Sequence, residues 1–140
     1  MLRLAALAAL CCGVLPASTS LVLPFFNHAK SANLDWIGES ITESVNDSLA
    51  SSGLLTLDRN DRLEGCRRLE LRPGAEFTHA SIIKVGQALD ASSVVYGSYE
   101  LLPDPANTQS KGSLRLTARI IDLKHMQQGP EFEPSERFAA

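Results

Sequence analysis

Beyond residue 19 the sequence holds a single cysteine, Cys66, so the body of the chain has no internal disulfide to brace it. A lone thiol with no histidine near it in the chain reads as a small, semi-buried side chain. The sequence also lacks a long apolar span. Its one apolar run, Leu4 to Leu15, is about a dozen residues, against the roughly 20 that a bilayer-crossing helix needs. Charge of one sign is missing as well: 13 Lys and Arg stand against 16 Asp and Glu, for a net charge of −3. Phosphate recognition calls for a clustered basic surface, so nucleic acid is excluded as the main partner. The one basic cluster, Arg67, Arg68 and Arg72, is interleaved with Glu64 and Glu70 and reads as a solvated, partly paired face.

The signatures of chemistry are missing too. Asn27 to Ser31, the segment between the first apolar stretch and the first helix, contains no glycine, which excludes a phosphate-cradling loop. There is no G-x-S-x-G elbow to expose a serine nucleophile. His28, His79 and His125 lie far apart, and none has a second ligand in a metal-binding register. Glu39 and Glu43 stand one helical turn apart among serines and asparagine, which reads as a hydrated face rather than an acid–base pair. No catalytic, cofactor-binding or metal-ligating residue is assigned, and the chain is not expected to be an enzyme.

What is present is a chain of 140 residues, 44% hydrophobic, enough for one domain with a core of its own. The first 19 residues read as a secretory signal: Arg3, the apolar run, then the small and polar Pro16-Ala-Ser-Thr-Ser20. A lipidated form would use Cys11 or Cys12, but Leu10 occupies the position before Cys11 where a small side chain is wanted. The expected location is the periplasm or another exported site, with membrane contact only through such an anchor. Residues 20–140 are then a single α/β domain.

Ser20 to Phe26 is apolar on both alternating sets, Leu21/Leu23/Phe25 and Val22/Phe26, as in a strand covered on both faces. Pro24 must cost that strand a ladder bond or end it. A helix follows over about Asn33–Ser51, with Leu34, Ile37, Ile41, Val45 and Leu49 on one side and Glu39, Glu43, Asn46 and Asp47 toward solvent. Asn33 or Asp35 is positioned to cap it, and Gly53 to stop it. Leu54 to Asp58 reads as the second strand, parallel to the first. Two further helices are expected, Asp61–Leu71 with Leu63, Cys66 and Leu69 inward, and one from the Thr78 cap to about Leu89. Ser92–Leu102 and Ser113–Leu123 are long strands, joined by a polar loop, Pro103 to Lys111. In the latter, Leu114, Leu116, Ala118 and Ile120 point one way, and Arg115, Thr117 and Arg119 the other. Gln127-Gln-Gly129 reads as a turn before a short strand at Glu131–Glu133. The fold class is therefore α/β, a three-layer-like mixed sheet in βαβααβββ order, parallel in its N-terminal part and an antiparallel meander in its C-terminal part.

The order of six landmarks, Leu21-Val-Leu-Pro-Phe-Phe-Asn27, Asp35-Trp-Ile-Gly-Glu-Ser-Ile-Thr-Glu43, Leu54-Leu-Thr-Leu-Asp-Arg59, Gly86-Gln-Ala-Leu-Asp-Ala91, Val94-Val-Tyr-Gly-Ser-Tyr99 and Leu114 to Asp122, resembles the TolB amino-terminal-like superfamily of bacterial envelope proteins, with its FlgO and CsgG groups. The resemblance covers about Leu21 to Asp122. It implies a non-catalytic periplasmic module that docks other envelope proteins, in some members as the front domain of a tetratricopeptide-repeat protein. In that family the domain continues into another helix, whereas here the sequence reaches Ala140 where that helix would be approached. The expectation is a front part of a longer protein, or a domain whose open apolar surface is covered by a partner or a second copy.

The leading function is thus a protein–protein docking module of a cell-envelope assembly. Asn27, Trp36, Arg115, Thr117 and Arg119 are its candidate partner contacts. Asn27, Trp36, Gly38, Asp58 and Arg59 also have architectural readings: a fixed turn, a wedge between helix start and sheet, a close approach, and an ordered strand end. The alternative is a soluble periplasmic sensor that binds a small ligand at the strand ends.

Overall fold

The computed structural model describes residues 17–29, 32–102 and 112–132. Residues 1–16, which hold most of the expected signal over 1–19, residues 30 and 31, the Pro103 to Lys111 loop and residues 133–140 lie outside the described residues. Strands β1 (Thr19–Val22), β2 (Phe26–Asn27), β3 (Leu55–Thr56), β4 (Ser93–Leu102), β5 (Ser113–Asp122) and β6 (Gln127–Gln128) form one sheet. Its order is β3-β1-β4-β5-β6, with β2 also paired to β4. The β1–β3, β1–β4 and β2–β4 pairs are parallel, and β4–β5 and β5–β6 are antiparallel. Helices α1 (Asp35–Ser51), α2 (Arg59–Arg68) and α3 (His79–Ala88) complete the expected βαβααβββ order, with β1 and β2 as one interrupted first strand.

Three layers follow from where the apolar side chains go. Val22, Phe25, Val95 and Tyr99 are buried on the face covered by Ile37, Ile41, Val45 and Leu49 of α1. Leu21, Leu23, Val94 and Ile121 are buried on the opposite face with Ile82 and Val85 of α3 and, from the end of α2, Leu69 and Leu71. β1 sits between β3 and β4 and is buried on both faces, as its double-sided apolar pattern requires.

Phe25 departs from strict alternation. It shares the α1 face with Val22, whereas Leu21 and Leu23 share the other. The cause is Pro24, which has no N–H and breaks the strand into β1 and β2. The backbone groups released at the break are met from α1: the buried Thr42 hydroxyl lies 3.4 Å from both the Phe25 N–H and the Leu23 carbonyl.

Four other expectations change. Neither Asn33 nor Asp35 caps α1; a 3-10 turn, Ala32–Leu34, leads into it, and Leu34 holds the cap position without a side-chain bond. Gly53 ends the helix with φ +83, as expected. The second helix starts at Arg59 rather than Asp61, because Asp58 and Asp61 form a reciprocal capping box. Gln127 and Gln128 are not a turn but strand β6. The turn lies just before them, where Asp122 Oδ1 accepts from the Lys124 and His125 N–H groups at 2.9 and 3.1 Å. Phe132, placed in a further strand, makes a single bridge to Ala118.

The basic cluster on α2 is solvated and paired as its sequence suggested. Glu64 accepts from Arg67 at 2.8 and 2.9 Å and from Arg68 at 2.9 Å. Those two guanidinium groups pull the Glu64 carboxyl down from 4.5 to about 2. A depressed carboxylate adds stability above its unfolded value and loses it as pH falls through the folded one. Glu64→Gln is therefore expected to flatten the acid limb of thermal stability between pH 4.5 and about 2. Near neutral pH it should lower the melting temperature by the same amount that the limb flattens, and both effects are small because the pair is exposed. Melting curves across that pH range check both parts.

Candidate functional site

The chain leaves β1 by α1 to reach β3 on one side, then returns past β1 through α2 and α3 to β4 on the other. A crevice outside the carboxyl ends of parallel strands is the usual binding position where connections diverge in this way. Here that end carries a cavity of about 230 Å³, walled by Phe25 and Asn27 from the first strand, Asp35 and Glu39 from α1, and Arg59, Arg62 and Cys66 from α2.

Its architecture begins at Asn27. The side-chain oxygen accepts from the Ala29 N–H at 2.8 Å, closing the turn after β2, and the amide nitrogen donates to Asp35 Oδ1 at 2.9 Å, tying that turn to the start of α1. Tyr99 is buried beneath, and its hydroxyl donates to the Leu34 carbonyl at 2.6 Å. Burial, the largest influence, pushes this hydroxyl above its ordinary titration range. Gly38 lets α1 pass close over Phe25: a Cβ there would lie 2.3 Å from the Phe25 carbonyl oxygen.

Sequence reasoning missed the centre of the site. Arg62 falls in a charged stretch, Arg59-Asn-Asp-Arg-Leu-Glu64, and is not among the residues expected inward, yet its side chain is 2% exposed. Nη1 donates to the Val22 carbonyl at 3.3 Å, and Nη2 is bonded to Glu39 and lies 3.5 Å from Glu43. Glu39 also accepts from Arg59 Nε at 3.0 Å. The one-turn spacing of Glu39 and Glu43 is thus the counter-charge of a buried guanidinium rather than a plain hydrated face. That spacing, together with an arginine at the buried phase of the next helix, was the available signal. Beside it Cys66 is buried, and burial pushes its thiol up.

A second cavity of about 310 Å³ lies on the α3 side of the sheet, where β4 and β5 run beyond the helices. Tyr96, Ser98, Thr117 and Arg119 form its floor, with His28, Phe77 and Glu131 among its walls. Arg119 Nη2 donates to Glu131 at 2.6 Å. The segment Pro24–His28 joins the two cavities: Phe25 and Asn27 line the first, Phe26 and His28 the second, and Pro24 both.

The five candidate contact residues therefore separate. Asn27 lies in the strand-end crevice and Thr117 and Arg119 in the sheet-face cavity, while Arg115 lines neither and sits 4.0 Å from Glu100 on the exposed surface. Trp36 does not wedge the helix against the sheet. It follows Asp35 on the first turn of α1 with 66% of its surface exposed.

Among the described residues there is no cluster of three potential metal ligands and no helix long and apolar enough to cross a membrane. No family model matches the sequence. No curated protein sequence matches it either. Solved structures do. The chain is similar to the lipoprotein GNA1162 from Neisseria meningitidis, with a TM-score of 0.66, 18% identity, and 87% of this chain covering 81% of that one. It is also similar to the C-terminal domain of LpoB from Salmonella enterica, at TM-score 0.60 and 17% identity, over 87% of this chain and 84% of that one. Full LpoB from Escherichia coli gives 0.62 and 16%, with 83% of this chain covering 54% of that protein. At these identities the likeness is one of fold, an α/β domain like those of LpoB and GNA1162; the narrower TolB, FlgO and CsgG likeness rests on the sequence landmarks alone.

Proposed function

We propose that this chain is a non-catalytic docking module of the bacterial cell envelope, working on the exported side of the membrane. The observation that carries the reading is Trp36, a large apolar side chain left 66% exposed at the start of α1. Exposed tryptophan contributes little to a monomer's core and is among the residues that dominate protein interfaces. The fold likeness to LpoB and to the lipoprotein GNA1162 supports an envelope setting. The proposed docking surface takes in Pro24–His28, with Thr117 and Arg119 in the cavity beside it, and the exposed Trp36 on the first turn of α1.

Crosslinking and affinity capture from envelope extract, with the mature domain from Ser20 onward as bait, tests this reading. One reproducibly enriched envelope protein is the expected result; a folded bait that enriches none counts against docking. Joint alanine replacement of Thr117 and Arg119, both half-buried on β5, is expected to weaken that capture by more than the accompanying loss of about 1 kcal/mol of stability explains. An equal loss of stability would assign both residues to the sheet instead. Mass spectrometry of the exported protein separates a form cut after the small-residue stretch from one acylated at Cys11 or Cys12.

A further inference from the structure

The strand-end crevice carries charges of both signs around a small volume. Asp35 and Glu39 stand one turn apart on α1, which places their Cβ atoms about 5–6 Å apart on one face. Arg59 reaches Glu39 through Nε, and its side chain is otherwise 59% exposed. Arg62 lines the same crevice, and its buried Nε–H has no acceptor among the described residues. A buried donor left in that condition is costly, but it lies too deep to be met from the crevice, so the cation a ligand can reach there is the exposed Arg59. The two carboxylates and two guanidinium groups on the walls balance. A lone anion or a lone cation therefore meets repulsion as well as attraction, whereas one molecule bearing both charges pairs with both walls.

We propose that this crevice binds a free α-amino acid as its zwitterion. The carboxylate faces the exposed guanidinium of Arg59. The ammonium faces Asp35 and the remaining lone pairs of Glu39. Phe25, Leu63 and Pro73, also in the wall, give a short side chain an apolar seat. The volume of about 230 Å³ falls below the roughly 300–1,000 Å³ of sites for drug-sized ligands, which suits a molecule of this size.

The test uses no partner protein, so its outcome is independent of the docking reading. Amide chemical shifts of the full mature chain are followed while alanine, serine and glutamate are added to millimolar levels, with propylamine and acetate as single-charge controls. Saturable shifts at Asn27, Asp35 and Arg59 with at least one amino acid, and not with either control, are expected. Arg59→Ala and Asp35→Asn, both at exposed positions, should each weaken the binding by roughly tenfold, the worth of one charge-assisted hydrogen bond, in protein that melting curves show to be folded at the titration temperature. No shift with any amino acid, equal shifts with the controls, or unaltered binding by both variants would overturn the proposal.

Discussion

Replacing Glu39 with alanine is expected to cost the folded protein about 3 kcal/mol, the low end of what breaking a buried ion pair costs. The guanidinium of Arg62 is 2% exposed, and Glu39 and Glu43 are the only carboxylates bonded to it among the described residues. Without Glu39, Nη2 keeps only Glu43 at 3.5 Å, and a charge stripped of water is left largely uncompensated. Partial exposure of Glu39 and the survival of Glu43 keep the loss at that low end. The accompanying Arg62→Met change should return part of the loss, because it removes the stranded charge while keeping much of the buried stem. Urea denaturation of the two single variants and the double variant measures the coupling. A Glu39→Ala protein as stable as the original would mean that Arg62 reaches water in solution.

Gly38→Ala is expected to destabilise, against the rule for its position. Within an exposed helix the change stabilises by about 1 kcal/mol, because alanine has less backbone freedom to lose. At residue 38 the new methyl would lie 2.3 Å from the Phe25 carbonyl oxygen and 3.0 Å from Tyr99 Cε1. The first obstacle is backbone at the Pro24 break and does not swing aside. α1 must lift, which loosens Ile37 and Ile41 over the sheet and stretches the Thr42 contacts. Overpacking of this kind costs about 2–3 kcal/mol, enough to reverse the propensity gain. A thermal melt decides the sign, and a higher melting temperature would contradict the close approach.

The layers were legible because they depend on pattern. The double-sided Leu21-Val-Leu23 stretch, the Ile37/Ile41/Val45/Leu49 stripe and the alternation expected over Leu114–Ile120 give a covered parallel centre with an antiparallel extension, although Ile120, expected on the packed face, is exposed. Gly38 and Asn27 carried their architectural roles openly, as a small residue in a helix and a turn former after a strand. What escaped depended on long-range partners. Arg62 is buried because Val22 and Glu39 meet it 40 and 23 residues away in the chain, and no local window contains them. The β5–β6 turn was misplaced by a few residues because Gln-Gly outweighed Asp122, whose side chain does the turning. Trp36 had two readings, a wedge between helix start and sheet and a partner contact, and its 66% exposure on the first turn of α1 removes the wedge.

The most direct test of docking is the affinity of the Trp36→Ala domain for whichever envelope protein the intact domain captures, measured beside its melting temperature. Loss of a tryptophan anchor is expected to weaken binding by about 2 kcal/mol or more, roughly thirtyfold, with the melting temperature unchanged. Unaltered affinity would show that the partner sits elsewhere on the domain. A melting temperature that falls with the affinity would return Trp36 to the architecture of α1.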